Sequence, residues 1–507
     1  MGTLRACRSR RTRERSDQPL VRGRQGRHSF DVRHPSPGRF RSLAELQVHL
    51  RSIDPTWQVA EAVAANGALA LPIVVHGRKL SNRFACHPME GWDGTADGLP
   101  TELTLRRWRH FGSSGAALVW GGEAFAVQRD GRANSRQLYR EPKADFAAGL
   151  ASLLQELRAG AAAAGLAPHA QFVGLQLTHS GRFARPDGPP APLLAFAHPV
   201  LAQKYPFMAT ARTLTDGELE RIGESFVHAA KAAQAVGFDF VDVKCCHGYL
   251  LHELLAARSR PGSYGGDFAG RTRLFERIVA AIRAACPGLP IGVRVSLADT
   301  VPFERDPATG AGRAMATALP YEHGFGVDAR APERFDLDEP LRFLRRLQAL
   351  GIELVNVTLG SPYWNPHLQR PAAYPPSDGY QPPDDPLRFV RCHLEVVRAA
   401  KAAVPALRFV GTGYTYLQEW VGHMAQHEVE AGHVDFVGLG RMMLAYPDLP
   451  RDLLAGRLLQ RKQLCRTFSD CTTAPRNGMV SGCFPLDPHY VAMPEAKTVK
   501  ALRAGEP

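Results

Sequence analysis

Long apolar runs are missing from this chain. No stretch approaches the roughly 18 consecutive apolar residues that a membrane-crossing helix needs, so no membrane partner is expected. A disulfide framework is missing too: nine cysteines, unevenly spaced over 507 residues, do not make the dense pattern of a small secreted scaffold. A reducing, cytoplasmic setting is the expectation. There is no His-Glu-x-x-His helix and no Walker phosphate loop, and no metal is expected.

Acidic residues are nearly absent from the first 41 positions. Twelve Arg there meet only Glu14, Asp17 and Asp31, and these residues carry nine of the chain's net +13 charges. What remains is +4, too little to argue for a nucleic-acid partner. The segment has no apolar run, which excludes a secretory signal peptide. It is expected to be a disordered basic extension over 1–41, with a transit peptide as the alternative.

Beyond it, Ser42 to Leu50 reads as a short Ser-capped amphipathic helix, and Pro72-Ile-Val-Val-His-Gly-Arg78 as a small β element. Then a rhythm sets in. Strands are expected at Arg83–His87, Ala117–Gly121, Phe172–Leu177, Phe238–Val243, Ile291–Val295, Leu354–Val357, Phe409–Gly411 and Asp435–Leu439. Helical periodicity marks 102–111, 144–164, 216–235, 271–285, 337–349, 387–404 and 417–430.

Such alternation implies a parallel sheet, and eight units imply an α/β fold of the (β/α)₈ TIM-barrel type over 42–460. An open doubly wound sheet would want a Gly-rich dinucleotide turn after its first strand. Here that strand runs into Pro88-Met-Glu-Gly-Trp-Asp-Gly94. Long insertions follow strand three (185–207), strand five (302–335) and strand six (363–386), on the side where barrel enzymes place substrate loops. Residues 461–507 form a C-terminal extension holding Cys465, Cys471 and Cys483.

The most informative stretch is Phe238-Asp-Phe-Val-Asp-Val-Lys244-Cys-Cys-His247-Gly-Tyr249. An alternating apolar run ends in three hydrogen-bonding or proton-carrying groups, where a barrel strand opens into its active site. Further strand-end motifs follow the same logic: Pro88-Met89, Gly121-Gly-Glu-Ala124, Gln176-Leu-Thr-His-Ser-Gly-Arg182, Arg294 in Gly-Val-Arg-Val-Ser, Gly411-Thr-Gly413, and Gly438-Leu-Gly440-Arg441.

Together these motifs resemble the Old Yellow Enzyme family of FMN-dependent NAD(P)H oxidoreductases, from about Leu80 to Tyr446. The resemblance implies an FMN cradled by Pro88, Met89, Ala124, Gln176 and Arg294. Its phosphate would lie at Gly411, Gly413, Gly440 and Arg441, with Glu90 near the flavin or turned away into an Arg or Trp92. It implies Lys244 and His247 as anchors for an acceptor oxygen and Tyr249 as proton donor to an activated C=C. NAD(P)H would visit the open face of the flavin, giving ping-pong kinetics.

Physical reasons stand beside these roles. A fixed cation such as Arg294 stabilises the negative charge of a reduced flavin. Phosphate wants close backbone approach and a guanidinium fork, which Gly413, Gly440 and Arg441 supply.

Lys244 departs from the family's usual His. It either binds the acceptor oxygen as a point charge, selects a carboxylate-bearing substrate, or pairs with Asp242 or Glu253. Three cysteines fall short of the four thiolates of a cubane cluster. The alternatives to ene reduction are an amine dehydrogenase or demethylase in the same fold, and a Schiff-base lyase using Lys244. A small-molecule substrate is expected, and a homo-oligomer is left open.

Overall fold

In the computed structural model, which describes residues 34–141 and 145–504, the eight expected strands close into a barrel. They are β1 (Phe84–Cys86), β2 (Leu118–Val119), β3 (Phe172–Thr178), β4 (Phe240–Val243), β5 (Ile291–Ala298), β6 (Leu354–Leu359), β7 (Arg408–Gly411) and β8 (Phe436–Leu439). Every neighbouring pair is parallel, and β8 closes on β1 through Val437 opposite Phe84. Parallel strands covered on both sides should lack a polar face, and every residue of β3, β4, β5 and β6 is buried.

The helices fall where the periodicity placed them: α1 (Glu102–Ser113), α2 (Phe146–Ala163), α3 (Asp216–Val236), α4 (Phe268–Ala285), α5 (Asp338–Ala349), α6 (Pro386–Ala403) and α7 (Val421–Glu430). Residue 144, the first of the expected second helix, lies outside the described residues. Local chemistry sets their ends. On α3 the Thr215 hydroxyl accepts from the Glu218 backbone N–H while Glu218 reaches back to Thr215, and Gly237 closes the helix at φ 98°.

The strand ends split the barrel into a closed end and an open one. At the closed end the hairpin Ile73–Val75/Arg78–Leu80 packs Ile73, Val75 and Leu80 against inward-facing Phe172, Phe240, Leu354 and Phe436. Each such buried side chain contributes about 1.5–3 kcal/mol.

At the other end the three insertions pack on one another. Lys204 Nζ donates to the Phe303 carbonyl at 2.5 Å, the Phe303 N–H donates to the Trp364 carbonyl at 2.7 Å, and Tyr205 donates to the Tyr363 carbonyl.

The expectation for 1–41 lies outside the described residues over 1–33. Residues 37–39, by contrast, form a 3₁₀ turn docked on the barrel, where Trp420 Nε1 donates to Pro37 O at 2.9 Å. The C-terminal extension folds into helices Asp470–Arg476, Pro488–Val491 and Glu495–Ala504, and Asp487 takes a bidentate pair from Arg106 on α1. No helix among the described residues is long and apolar enough to cross a membrane.

Candidate active site

A cavity of about 300 Å³ opens at the C-terminal ends of the strands. Its floor begins with His87, the residue after β1. Asn356 Nδ2 lies 3.0 Å from His87 Nδ1, and Thr412 Oγ1 lies 3.1 Å from Nε2. Because Thr412 gives its own proton to the Val357 carbonyl at 2.6 Å, the network assigns the imidazole proton to Nε2. Burial and the neighbouring Arg294 hold this ring well below its ordinary pKa, so it is neutral.

Asp242 on β4 organises the next layer. Its carboxylate accepts from Trp120 Nε1 at 2.7 Å, Gln176 Nε2 at 2.6 Å and the Arg294 backbone N–H at 2.7 Å. Burial nevertheless pushes the group up to about 6. With its amide nitrogen held this way, Gln176 keeps a carbonyl oxygen that bonds no described residue. Arg294 sends Nη1 to the Pro88 carbonyl at 3.3 Å, while its Nε is buried without a partner.

At the far end of the cavity Gly413 takes φ 99°, and a Cβ added to Gly440 would meet nothing closer than His87 Cβ at 3.9 Å. Two guanidinium groups converge there. Arg441 Nη2 donates to the Pro371 carbonyl at 2.9 Å and its Nη1 is buried and unpaired. Arg370 donates to Thr472, its Nη2 is likewise unpaired, and burial beside Arg476 and Arg441 lowers it to about 9. Buried cations with orphaned N–H groups are costly unless an anion meets them.

The donor set therefore fits FMN. The Arg294 and Gln176 edge suits the flavin ring, and two guanidinium groups that each keep a buried nitrogen with no partner among the described residues, beside a side-chain-free backbone, suit a phosphate dianion.

The β4 cluster forms the opposite wall. His247 sits at φ 65°, a left-handed geometry rare outside glycine, held by its N–H to Ser296 Oγ (3.1 Å) and by Ser361 Oγ on its carbonyl (2.9 Å). Its Nε2 lies 3.3 Å from Thr358 Oγ1 and 3.2 Å from Gln369 Nε2, and burial keeps the ring neutral.

Lys244 pairs with neither expected acid, since Asp242 is engaged as above and Glu253 is held by Arg182. Among the described residues it has no salt bridge. Its Nζ stands 4.1 Å from the centroid of the Tyr249 ring, and burial lowers its pKa. The Tyr249 hydroxyl donates to Glu90 Oε2 at 2.5 Å and lies 2.9 Å from the Tyr363 hydroxyl.

Of the residues expected at the site, Pro88, Met89, Glu90, Gln176, Lys244, His247, Tyr249, Arg294, Gly413, Gly440 and Arg441 all line the cavity. Two do not. Ala124 is buried opposite Gln176 in the sheet register, and Gly411 lies under the Tyr414 ring, 3.1 Å from where its Cβ would be.

Glu90, expected near the flavin or turned into an Arg or Trp92, accepts from Tyr249. Arg370 and Tyr363 went unread because both sit in the insertion after β6, where only proline content was informative. The motif Gln369-Arg370-Pro371 held a lone cation that spacing alone does not flag.

Cys465, Cys471 and Cys483 do converge, around a void of about 20 Å³ shared with Phe468, and burial pushes the Cys465 and Cys483 thiols up. Three thiols and so small a space do not fit a cubane cluster. The group His427, Glu428 and His433 also converges, but Arg398 grips both oxygens of Glu428.

A closed parallel barrel whose open end gathers Arg294, Gln176 and the arginine pair Arg370 and Arg441 around one cavity is what a flavin-dependent oxidoreductase would need. The chain belongs to the NADH:flavin oxidoreductase / NADH oxidase family, whose profile matches residues 68–322. It is an FMN-dependent oxidoreductase of the Old Yellow Enzyme group.

The NADPH dehydrogenase of Geobacillus sp. (strain WCH70) is 26% identical over 394 residues, 75% of this chain and 91% of that protein. An NADH:flavin oxidoreductase of Gibberella zeae is 25% identical over 408 residues, covering 75% and 83%.

Among solved structures, morphinone reductase superposes with a TM-score of 0.51 at 19% identity over 78% of this chain and 92% of that one. A 2-naphthoyl-CoA reductase gives 0.62 at 16% identity and histamine dehydrogenase from Rhizobium sp. 4-9 gives 0.59 at 20%. Both cover 84% of this chain, which spans 58% and 53% of their lengths. These likenesses establish the fold.

Proposed function

We propose that this enzyme reduces an activated C=C bond, with Lys244 and His247 holding the acceptor's oxygen and Tyr249 protonating Cα. The observation that carries the reading is Lys244, buried with no salt bridge among the described residues and lining the same cavity as His247 and Tyr249. Negative charge grows on the acceptor oxygen as hydride reaches Cβ, and a cation already aimed there favours the transition state over the ground state. A fixed ammonium also suits an unsaturated acid, whose carboxylate would satisfy it in the ground state.

FMN supplies the hydride. Pro88 and Met89 would lie along it, Gln176 and Arg294 would hold the ring edge, and Gly413, Gly440, Arg441 and Arg370 would hold the phosphate. NAD(P)H and acceptor would use the cavity in turn, giving ping-pong kinetics. Amine oxidation is disfavoured, because a substrate ammonium would meet Lys244 at close range.

The test is the visible spectrum under anaerobic conditions. Flavin absorption near ~450 nm should bleach on addition of NADPH or NADH and return on addition of cyclohex-2-enone or an α,β-unsaturated carboxylate. Return with none of the unsaturated acceptors, but bleaching by an amine, would overturn the reading.

A further inference from the structure

The hydroxyl of Tyr249 has a single proton, and in this structure that proton is given to Glu90. Tyr363 lies 2.9 Å away, so its hydroxyl is the donor to the Tyr249 oxygen, and Tyr249 in turn donates to Glu90 Oε2 at 2.5 Å. While Glu90 is a carboxylate, the phenol is locked. Turning its O–H toward a substrate would abandon a charge-assisted hydrogen bond, and losing the proton altogether would leave a tyrosinate beside a carboxylate.

Both burial and the Glu90 charge hold Tyr249 well above the ordinary phenol range. Tyr249 alone is therefore badly placed for the proton transfer that the proposed function asks of it.

Resting on that function, we infer that Glu90 in its carboxylic acid form is the second half of the proton donor. The acid O–H donates to the Tyr249 oxygen, which frees the phenol O–H to turn into the cavity. As the Cα–H bond forms, the Tyr249 O–H bond breaks. The Tyr249 O–H re-forms with the Glu90 proton, whose electron pair stays behind on the carboxylate.

Glu90 is half-buried, so water can return the proton between turnovers. The two electrons come with the hydride, and no further reductant is needed. The groups facing Glu90 are few. Asn134 Nδ2 donates to Oε1 at 3.3 Å, Tyr249 and Tyr363 lie on one side, and Lys244 contributes positive charge from the end of β4. That ammonium, stacked on the Tyr249 ring, offsets the transient negative charge of the pair.

The experiment separates hydride transfer from protonation. 1-Nitrocyclohexene accepts hydride to give a nitronate, whose protonation at carbon is slow enough in water to be followed on its own. Native enzyme, Glu90→Gln and Tyr249→Phe would be reduced anaerobically with NADPH and mixed with it.

Glu90→Gln should slow nitronate protonation by about 100-fold more than it slows flavin reduction or hydride transfer, the scale of a general acid. The protonation rates of native enzyme and Glu90→Gln should differ in their dependence on pH. Glu90→Asp should restore part of the rate.

Protonation at the native rate and with the native pH profile in Glu90→Gln would overturn the inference. Rapid protonation in Tyr249→Phe would instead sink the donor role of Tyr249, and the inference with it. A proton inventory on native enzyme needs no variant: two protons in flight give a bowed dependence on deuterium fraction, and a straight line counts against the pair.

Discussion

Asp242 accepts the backbone N–H of Arg294 at 2.7 Å while its other oxygen takes Gln176 and Trp120. One carboxylate on β4 thus sets the positions of two residues that face the cavity from β3 and β5. Asp242→Ala would leave three buried donors unpaired, each a desolvated polar group. Stability should fall by about 2–4 kcal/mol, and the protein should purify with less than its full complement of FMN. Urea unfolding and the ratio of flavin to protein absorbance check this. An unchanged midpoint with full flavin would show that Asp242 is not the hub.

In the proposed function Arg370 and Arg441 hold the phosphate, because each keeps a buried N–H with no partner among the described residues. Replacing either by Ala should weaken FMN binding to the apoprotein by about 10- to 100-fold, the scale of a charge-assisted contact. Riboflavin has the same ring and no phosphate, so its binding should hardly change. Equal losses for both ligands would mean that the arginines support the cavity wall and not the phosphate.

The barrel was legible because its signal is periodic and repeated: eight short β-branched runs separated by helical segments leave few topologies open. The site was legible where a chemical group and a strand end coincide in the chain, as at Lys244, His247, Tyr249 and Arg294. What stayed hidden depends on contacts distant in sequence.

Gly438 is the clearest case. It reads as part of a phosphate-binding Gly-x-Gly-Arg motif, but a Cβ there would stand 2.1 Å from His87 Nε2. Its glycine makes room for an imidazole more than 350 positions earlier. Glu90 is another: motif position leaves it beside the flavin or turned into an Arg or Trp92, and only the fold shows the bond from Tyr249 to its carboxylate. Arg370 sits in an insertion with no period at all.

Lys244 separates the three readings of the chemistry. If it holds the acceptor, Lys244→Met should lower kcat/KM for a cyclic enone or unsaturated acid at least tenfold. The rate of flavin reduction by NADPH should stay within about threefold, since the ammonium acts on the oxygen of the acceptor. If it were instead a Schiff-base nucleophile, borohydride would trap a carbonyl compound on native enzyme and not on the variant. If the enzyme oxidised amines, removing the ammonium would raise activity toward them. Rapid-mixing of the two half-reactions decides among these outcomes.

His252 makes the turn under His247 sensitive to acid. Its Nδ1 accepts the Gly248 N–H at 2.9 Å, its Nε2 is buried with no partner, and burial holds it down to about 3. Below its ordinary value of 6.5 the unfolded chain takes up a proton that the folded ring refuses. The stability it contributes is therefore present above about pH 6.5 and lost as pH falls, by about 1.4 kcal/mol per pH unit. His252→Gln keeps an acceptor for Gly248 and has no proton to gain. Between pH 7 and pH 5 the native protein should lose about 2 kcal/mol more than this variant. His367 and His393, held down to about 3 and about 4, destabilise both proteins alike and cancel in the comparison. Urea midpoints at half-unit pH steps measure the difference, and parallel curves for the two proteins would show that His252 is already charged in the fold.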